Sequence, residues 1–118
     1  TYYFADLEVQ MLGSVDDMFM AEYNDLDETS LVFTVKTASK KMIFTGDAGP
    51  VVIGQYIMKR YTAATLKCDI SQANSHGANN SAHTQFYKSV DPDIYLWPAS
   101  IEFYNKHTPN KHPFAPSY

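Results

Sequence analysis

The sequence predicts an α/β fold, a mixed and mostly antiparallel sheet with helices on one face. Three observations carry that expectation. Two pairs of β-rich runs, one near the start and one ending at Gly46, stand close enough to form hairpins. A segment of helical period follows Pro50. A buried run, a short helix and a further run ending before Pro98 then repeat the order of strand, helix and strand.

The first strand-like run is "LEVQML", in which Leu7, Val9 and Met11 alternate with Glu8 and Gln10, the two-residue period of a half-buried strand. "YYF" before it pairs as a hairpin arm across Ala5-Asp6. From Asp16 to Glu28 the chain holds six acidic residues around Met18, Phe19 and Met20 without a clean period, which reads as a surface excursion. "SLVFTVKT" and "KKMIFTGD" are separated by Ala38-Ser39 and make a second hairpin, so Asp47 falls at a strand's carboxyl end.

Pro50 suits a first helical position, and Ile53, Tyr56, Ile57, Tyr61 and Ala64 share one face of a helix expected to run to about Leu66. Gly54 weakens it without breaking it. "KCDISQA" reads as a buried strand, "NSHGANN" as its exit loop and "SAHTQFYKSV" as a short helix capped by Asn80 or Ser81. "DPDIYLWP" closes the pattern as a strand stopped by Pro98. The remainder, 101–118, is rich in Pro, Asn and Lys without a period and is expected to be a loop-like tail.

Length and composition bound the function. A chain of 118 residues with 45% hydrophobic content makes a single domain, 1–118, with a real core. The net charge is −4 and the nine Lys and Arg are scattered, so the footprint of a direct nucleic-acid binder is absent. No apolar run is long enough for a membrane span and no leader opens the chain, which begins on Thr1 as if cut from something longer. Its one cysteine, Cys68, sits in an apolar run and reads as a buried, inert thiol.

The chemistry-bearing residues are Asp47 in "FTGDAG" and His76 in "NSHGANNS". A carboxylate and an imidazole at the ends of neighbouring strands, each beside a turn glycine, are able to converge at the sheet edge as part of a metal site. From chemistry alone the commoner readings are a plain G-D-x-G turn and a polar loop histidine.

The run "TSLVFTVKTASKKMIFTGDAG", a helix, and then "DISQANSHGANNSAHTQFYKSVDPDIYLWPAS" resemble the second half of a metallo-β-lactamase-fold hydrolase, most of all the subgroup of ComEC-like DNA-uptake competence proteins. The resemblance implies half of an αββα sandwich. It implies that Asp47 is the carboxylate bridging two zinc ions and that His76 is a late histidine ligand. Gly46 and Gly77 become the turn glycines beside the site, and Trp97 and Ser100, beyond the last strand, are placed at the substrate mouth. Where the family shows two histidines this chain has Ser75-His76, and "NKHP" echoes a later family element with shorter spacing, placing His112 at the pocket. His83 and His107 read as surface residues.

The family's main signature, His-x-His-x-Asp-His, is missing. Asp47 and His76 supply two ligands where a hydrolytic zinc site wants three or more and a water. The resemblance thus implies the carboxyl-terminal part of a zinc hydrolase acting on an ester or phosphoester bond, inactive and metal-free without its amino-terminal half. The alternative is a catalytically dead structural or protein-interaction module. The same resemblance leaves one sheet face without its cover and implies a homodimer of the fragment.

Overall fold

The computed structural model describes residues 1–13, 29–77 and 84–107. Six strands lie in chain order in one sheet: β1 (Tyr2–Phe4), β2 (Leu7–Gly13), β3 (Val32–Lys36), β4 (Lys41–Phe44), β5 (Ile70–Gln72) and β6 (Ile94–Leu96). The pairings β1–β2, β2–β3 and β3–β4 are antiparallel, while β4–β5 and β5–β6 are parallel. This is the α/β fold expected, with a mixed sheet. The first hairpin turns at Ala5, whose φ of 52° is the left-handed value that tight hairpin turns require.

Parallel neighbours need a crossover, and the chain supplies one helical connection for each. Between β4 and β5, α1 consists of a π-helical turn, Val52–Ile57, running into an α-helical turn, Met58–Arg60, and α2 spans Ala63–Leu66. Between β5 and β6 lies α3 (Thr84–Val90), and α4 (Ile101–His107) follows β6.

The single helix expected to reach Leu66 is two pieces. Tyr61 leaves the helix with φ −121° and ψ 140°, and the Thr62 side chain caps the second piece by accepting from Thr65 N. The break carries Leu66 into the core and leaves Ala64 exposed, although the helical period places Ala64 on the buried face. Ile53 and Ile57 are fully buried as expected, with Tyr56 and Tyr61 packed beside them. The tail also differs from expectation: Ile101–His107 is helical, because Ser100 Oγ accepts from Phe103 N and starts α4 at 3.1 Å. The excursion from Asp16 to Glu28, the cap at Asn80 or Ser81, His83 and His112 lie outside the described residues.

Strand register sorts the sheet into two unlike faces. The row Thr34, Ile43 and Ser71 faces the helices and is 2%, 1% and 0% exposed. Over it Leu12, Val32, Ile53, Ile57, Leu66, Phe86, Tyr87 and Val90 form the core. The opposite face carries the unbroken row Tyr2, Val9, Val35, Met42, Ile70 and Ile94, one residue from each strand. Phe33 and Phe44 stack beside that row with centroids 5.1 Å apart. All of these residues are half-buried or exposed. Among the described residues, no helix is long and apolar enough to cross a membrane.

The polar frame at the other end of the parallel strands centres on Asp69. Its carboxylate accepts from Lys41 N at 2.8 Å and Lys40 Nζ at 2.9 Å, and these bonds hold it below the usual carboxylate range. Cys68 is buried, as expected of an inert thiol, and donates to Ile70 O at 3.1 Å. Burial pushes that thiol from 9.0 up to about 11, and burial likewise pushes the Tyr87 phenol from 10.0 up to about 12.

Two outcomes follow. Ile57→Ala, which empties a fully buried site between helix and sheet, lowers the unfolding free energy by about 2–4 kcal/mol in denaturant titration, with the m-value unchanged. Stability also falls in alkali. Cys68 and Tyr87 stay protonated in the folded chain where the unfolded chain loses those protons, so their contribution is whole below pH 9.0 and lost as pH rises through about 11 to about 12. Thermal melts between pH 8 and 11 read the loss directly, and Cys68→Ala removes its lower-pH part.

Candidate functional site

Because β4, β5 and β6 run parallel, their carboxyl ends open on the same edge, and the three loops that leave them meet there. The β4 loop carries Asp47, the β5 loop His76, and the β6 loop Trp97 and Pro98. The side chains of Asp47 and His76 are 46% and 50% exposed, so the pair is open to a ligand.

Local geometry aims both groups. Gly46 takes φ 53° and turns the chain sharply after Thr45, itself fully buried. On the facing loop Ser75 and His76 take φ 47° and 54° and Gly77 takes 77°, three successive left-handed residues. Two of them are not glycine, which costs on the order of 1–2 kcal/mol each and is a cost found concentrated at working sites. Gly77 has a second reason to be glycine: a Cβ there would run into the Trp97 indole.

The two loops are pinned by buried hydrogen bonds. Ser75 N donates to Gly46 O at 2.9 Å. Asn74, fully buried, donates from Nδ2 to Ala48 O at 3.0 Å. Its backbone N–H donates to the Tyr87 hydroxyl at 3.2 Å, and that hydroxyl donates to Asn74 Oδ1. One side chain thus joins the loop of Asp47, the loop of His76 and helix α3. Asn74 is the site residue that sequence reasoning missed. Its one sequence signal is an amide at the end of a buried run, where an apolar residue continues the pattern.

The result is an Asp47 Oδ1 to His76 Nε2 separation of 3.4 Å. His76 Nδ1 lies 2.7 Å from Pro98 O, a carbonyl that only accepts, so Nδ1 carries a proton and Nε2 is the ring nitrogen that faces Asp47. The ring is steadied edge-on by Phe103 of α4, with centroids 5.8 Å apart. A separation of 3.4 Å is longer than a charge-assisted hydrogen bond of about 2.7–2.9 Å. It matches the span of about 3.4 Å between two ligand atoms held at ~2.0–2.2 Å on a tetrahedral zinc. In type, orientation and spacing the pair fits two ligands of one such ion.

Two ligands do not complete a centre. Among the described residues no group of three or more His, Cys, Asp or Glu side chains is placed to hold a metal. Trp97 lies at the same edge, its ring against Gly77 and edge-on to Tyr104 with centroids 6.2 Å apart. Ser100 is close by, and its hydroxyl is engaged as the α4 cap. His107 ends α4. The expected pocket residue His112 lies outside the described residues. No protein-family model matches the chain, and no curated protein matches it.

Asn74→Ala removes the pin, taking the donor from the buried Ala48 carbonyl and the acceptor from the Tyr87 O–H, for a loss of about 2–3 kcal/mol of stability. Histidine NMR provides the second readout. In the wild-type chain the His76 Nδ1 proton is protected by its hydrogen bond to Pro98 O, and in the variant it exchanges faster because the ring is no longer held there.

Proposed function

We propose that this chain is the carboxyl-terminal part of a metal-dependent hydrolase of the metallo-β-lactamase fold, acting on an ester or phosphoester bond. The observation that carries the reading is the convergence of Asp47 Oδ1 and His76 Nε2 to 3.4 Å at the carboxyl edge of the parallel strands. The ordered likeness of "GD", "SHG" and "DPD" to that family supports it from the sequence side.

In this reading Asp47 and His76 would be ligands of a zinc pair, His76 through Nε2. The other ligands come from the amino-terminal half of the fold, the first partner the reading requires. When bound, the zinc pair supplies a Lewis acid and lowers the pKa of its water toward ~7. This chain's own residues do the positioning. Pro98 O holds the imidazole with Nε2 toward the carboxylate, Asn74 and Gly46 hold that carboxylate opposite it, and Trp97 and Ser100 would line the substrate mouth. Without that half the chain is expected to form a homodimer.

The exposed apolar row on the open sheet face favours a second reading, a catalytically dead structural or interaction module of the same fold. The sequence preceding Thr1 in the whole protein separates the two, since an intact His-x-His-x-Asp-His belongs only with the hydrolase.

The deciding measurement is metal content with a phosphodiesterase and esterase panel on the whole protein. Bound zinc and activity are expected, with Asp47→Asn and His76→Ala each lowering kcat/KM by at least about 100-fold and releasing metal. Metal-free, inactive protein overturns the hydrolase reading. The chain of 118 residues by itself is expected to bind zinc only weakly, with Kd above about 10 µM by calorimetry, because two ligands leave the ion largely hydrated.

A further inference from the structure

The two sheet faces are unequal in a direction that calls for explanation. The face under the helices carries the small polar residues Thr34 and Ser71 along its central row, together with Ile43. The open face carries Tyr2, Val9, Val35, Met42, Ile70 and Ile94 in one row across all six strands. The more apolar face is therefore the one left in water, the reverse of what the hydrophobic effect rewards in a finished fold. Tyr2 and Phe4 are 60% and 63% exposed, and Ile94 is 52% exposed.

Charge is sorted just as sharply. The paired residues Glu8, Lys36 and Lys41 all belong to the helix side of the sheet. No charged residue lies in the open row or in the row beside it, Met11, Phe33, Phe44, Gln72 and Leu96. A face without charge meets no repulsion from its own copy, whereas a face built for a charged partner carries the complement of that charge.

We propose that this open apolar face is the docking surface for a second copy of the chain, the two sheets packing face to face about a twofold axis. Size supports that occupant. Large side chains with areas of roughly 150–250 Å² each, exposed to the extents seen here, give on the order of 700 Å² per chain. Two copies then bury about 1,400 Å², inside the range of roughly 1,200–2,000 Å² typical of stable interfaces. A twisted sheet face is matched best by another twisted sheet about 10 Å away, and a copy presents one of the same width and twist. The isologous arrangement closes after two chains. The inference rests on the sheet face and not on the metal reading, so a chain that binds no metal still dimerises.

Sedimentation equilibrium on the 118-residue chain tests it. Twice the chain mass of 13.3 kDa is expected at tens of micromolar. Val35→Asp, at the centre of the row, and Ile94→Asp, near its edge, bury carboxylates in the interface and raise the dimer dissociation constant by about 100-fold or more. Tyr3→Asp, 73% exposed on the other face of the edge strand, leaves the dimer intact, and so does Asp47→Ala, which removes the metal-site carboxylate. Circular dichroism shows whether each variant folds. Should Val35→Asp unfold, the exposed Ile94 position gives the decision alone. A wild-type monomer overturns the proposal. So does a dimer that survives the folded face variants but is lost in Tyr3→Asp, which marks edge-to-edge pairing, and so do open-ended aggregates without a defined dimer.

Discussion

The Asn74 amide is the constraint on which the candidate site depends. It is fully buried and holds the Ala48 carbonyl, one residue past Asp47, while its own position sits two residues before His76. Buried amides are tolerated only when their polar atoms are matched, and the Tyr87 hydroxyl completes the set by accepting from the backbone N–H and donating to Oδ1. Because the same group serves two loops and helix α3, moving any one of them leaves a buried polar atom without its partner. That cost is what keeps the left-handed Ser75 and His76 in place.

The parallel pairing of β4 with β5 and of β5 with β6 has the complementary role. It puts three chain exits on one edge, where each contributes one function: a carboxylate, an imidazole, and the carbonyl that orients the imidazole. The antiparallel strands β1, β2 and β3 on the other side of the sheet contribute no site residue. They extend the apolar face, so site and face lie on different parts of one sheet and are governed by different forces. The site is held by directed hydrogen bonds, the face by undirected burial.

Much of this was legible in the residue order. Alternation in Leu7, Val9 and Met11, and the two runs around Ala38-Ser39, gave the hairpins, because the pleat ties every second side chain to one face. The helix after Pro50 was legible as a period, and its break at Tyr61 was not. Thr62 is a weak helix former in either role, and only the packing of Leu66 selects the cap. The helical Ile101–His107 escaped for a similar reason: a short segment without a clean period forms when Ser100 caps it and Tyr104 is buried near Trp97.

The sequence by itself determined the order of the strands and their helical connections along the chain and the placing of Asp47 and His76 at strand ends, since periodicity and turn residues are local properties. Only the tertiary structure decided that the two groups stand 3.4 Å apart, that Pro98 O orients the histidine ring and that Asn74 locks the loops together. It also decided which sheet face the helices cover. Alternation says that a strand has two unlike faces, but the covered one is chosen by how crossovers return over a twisted sheet. Here they return over Thr34 and Ser71 and leave the row from Tyr2 to Ile94 exposed. The distances and the choice of face come from contacts between residues far apart in the chain, and no local pattern encodes them.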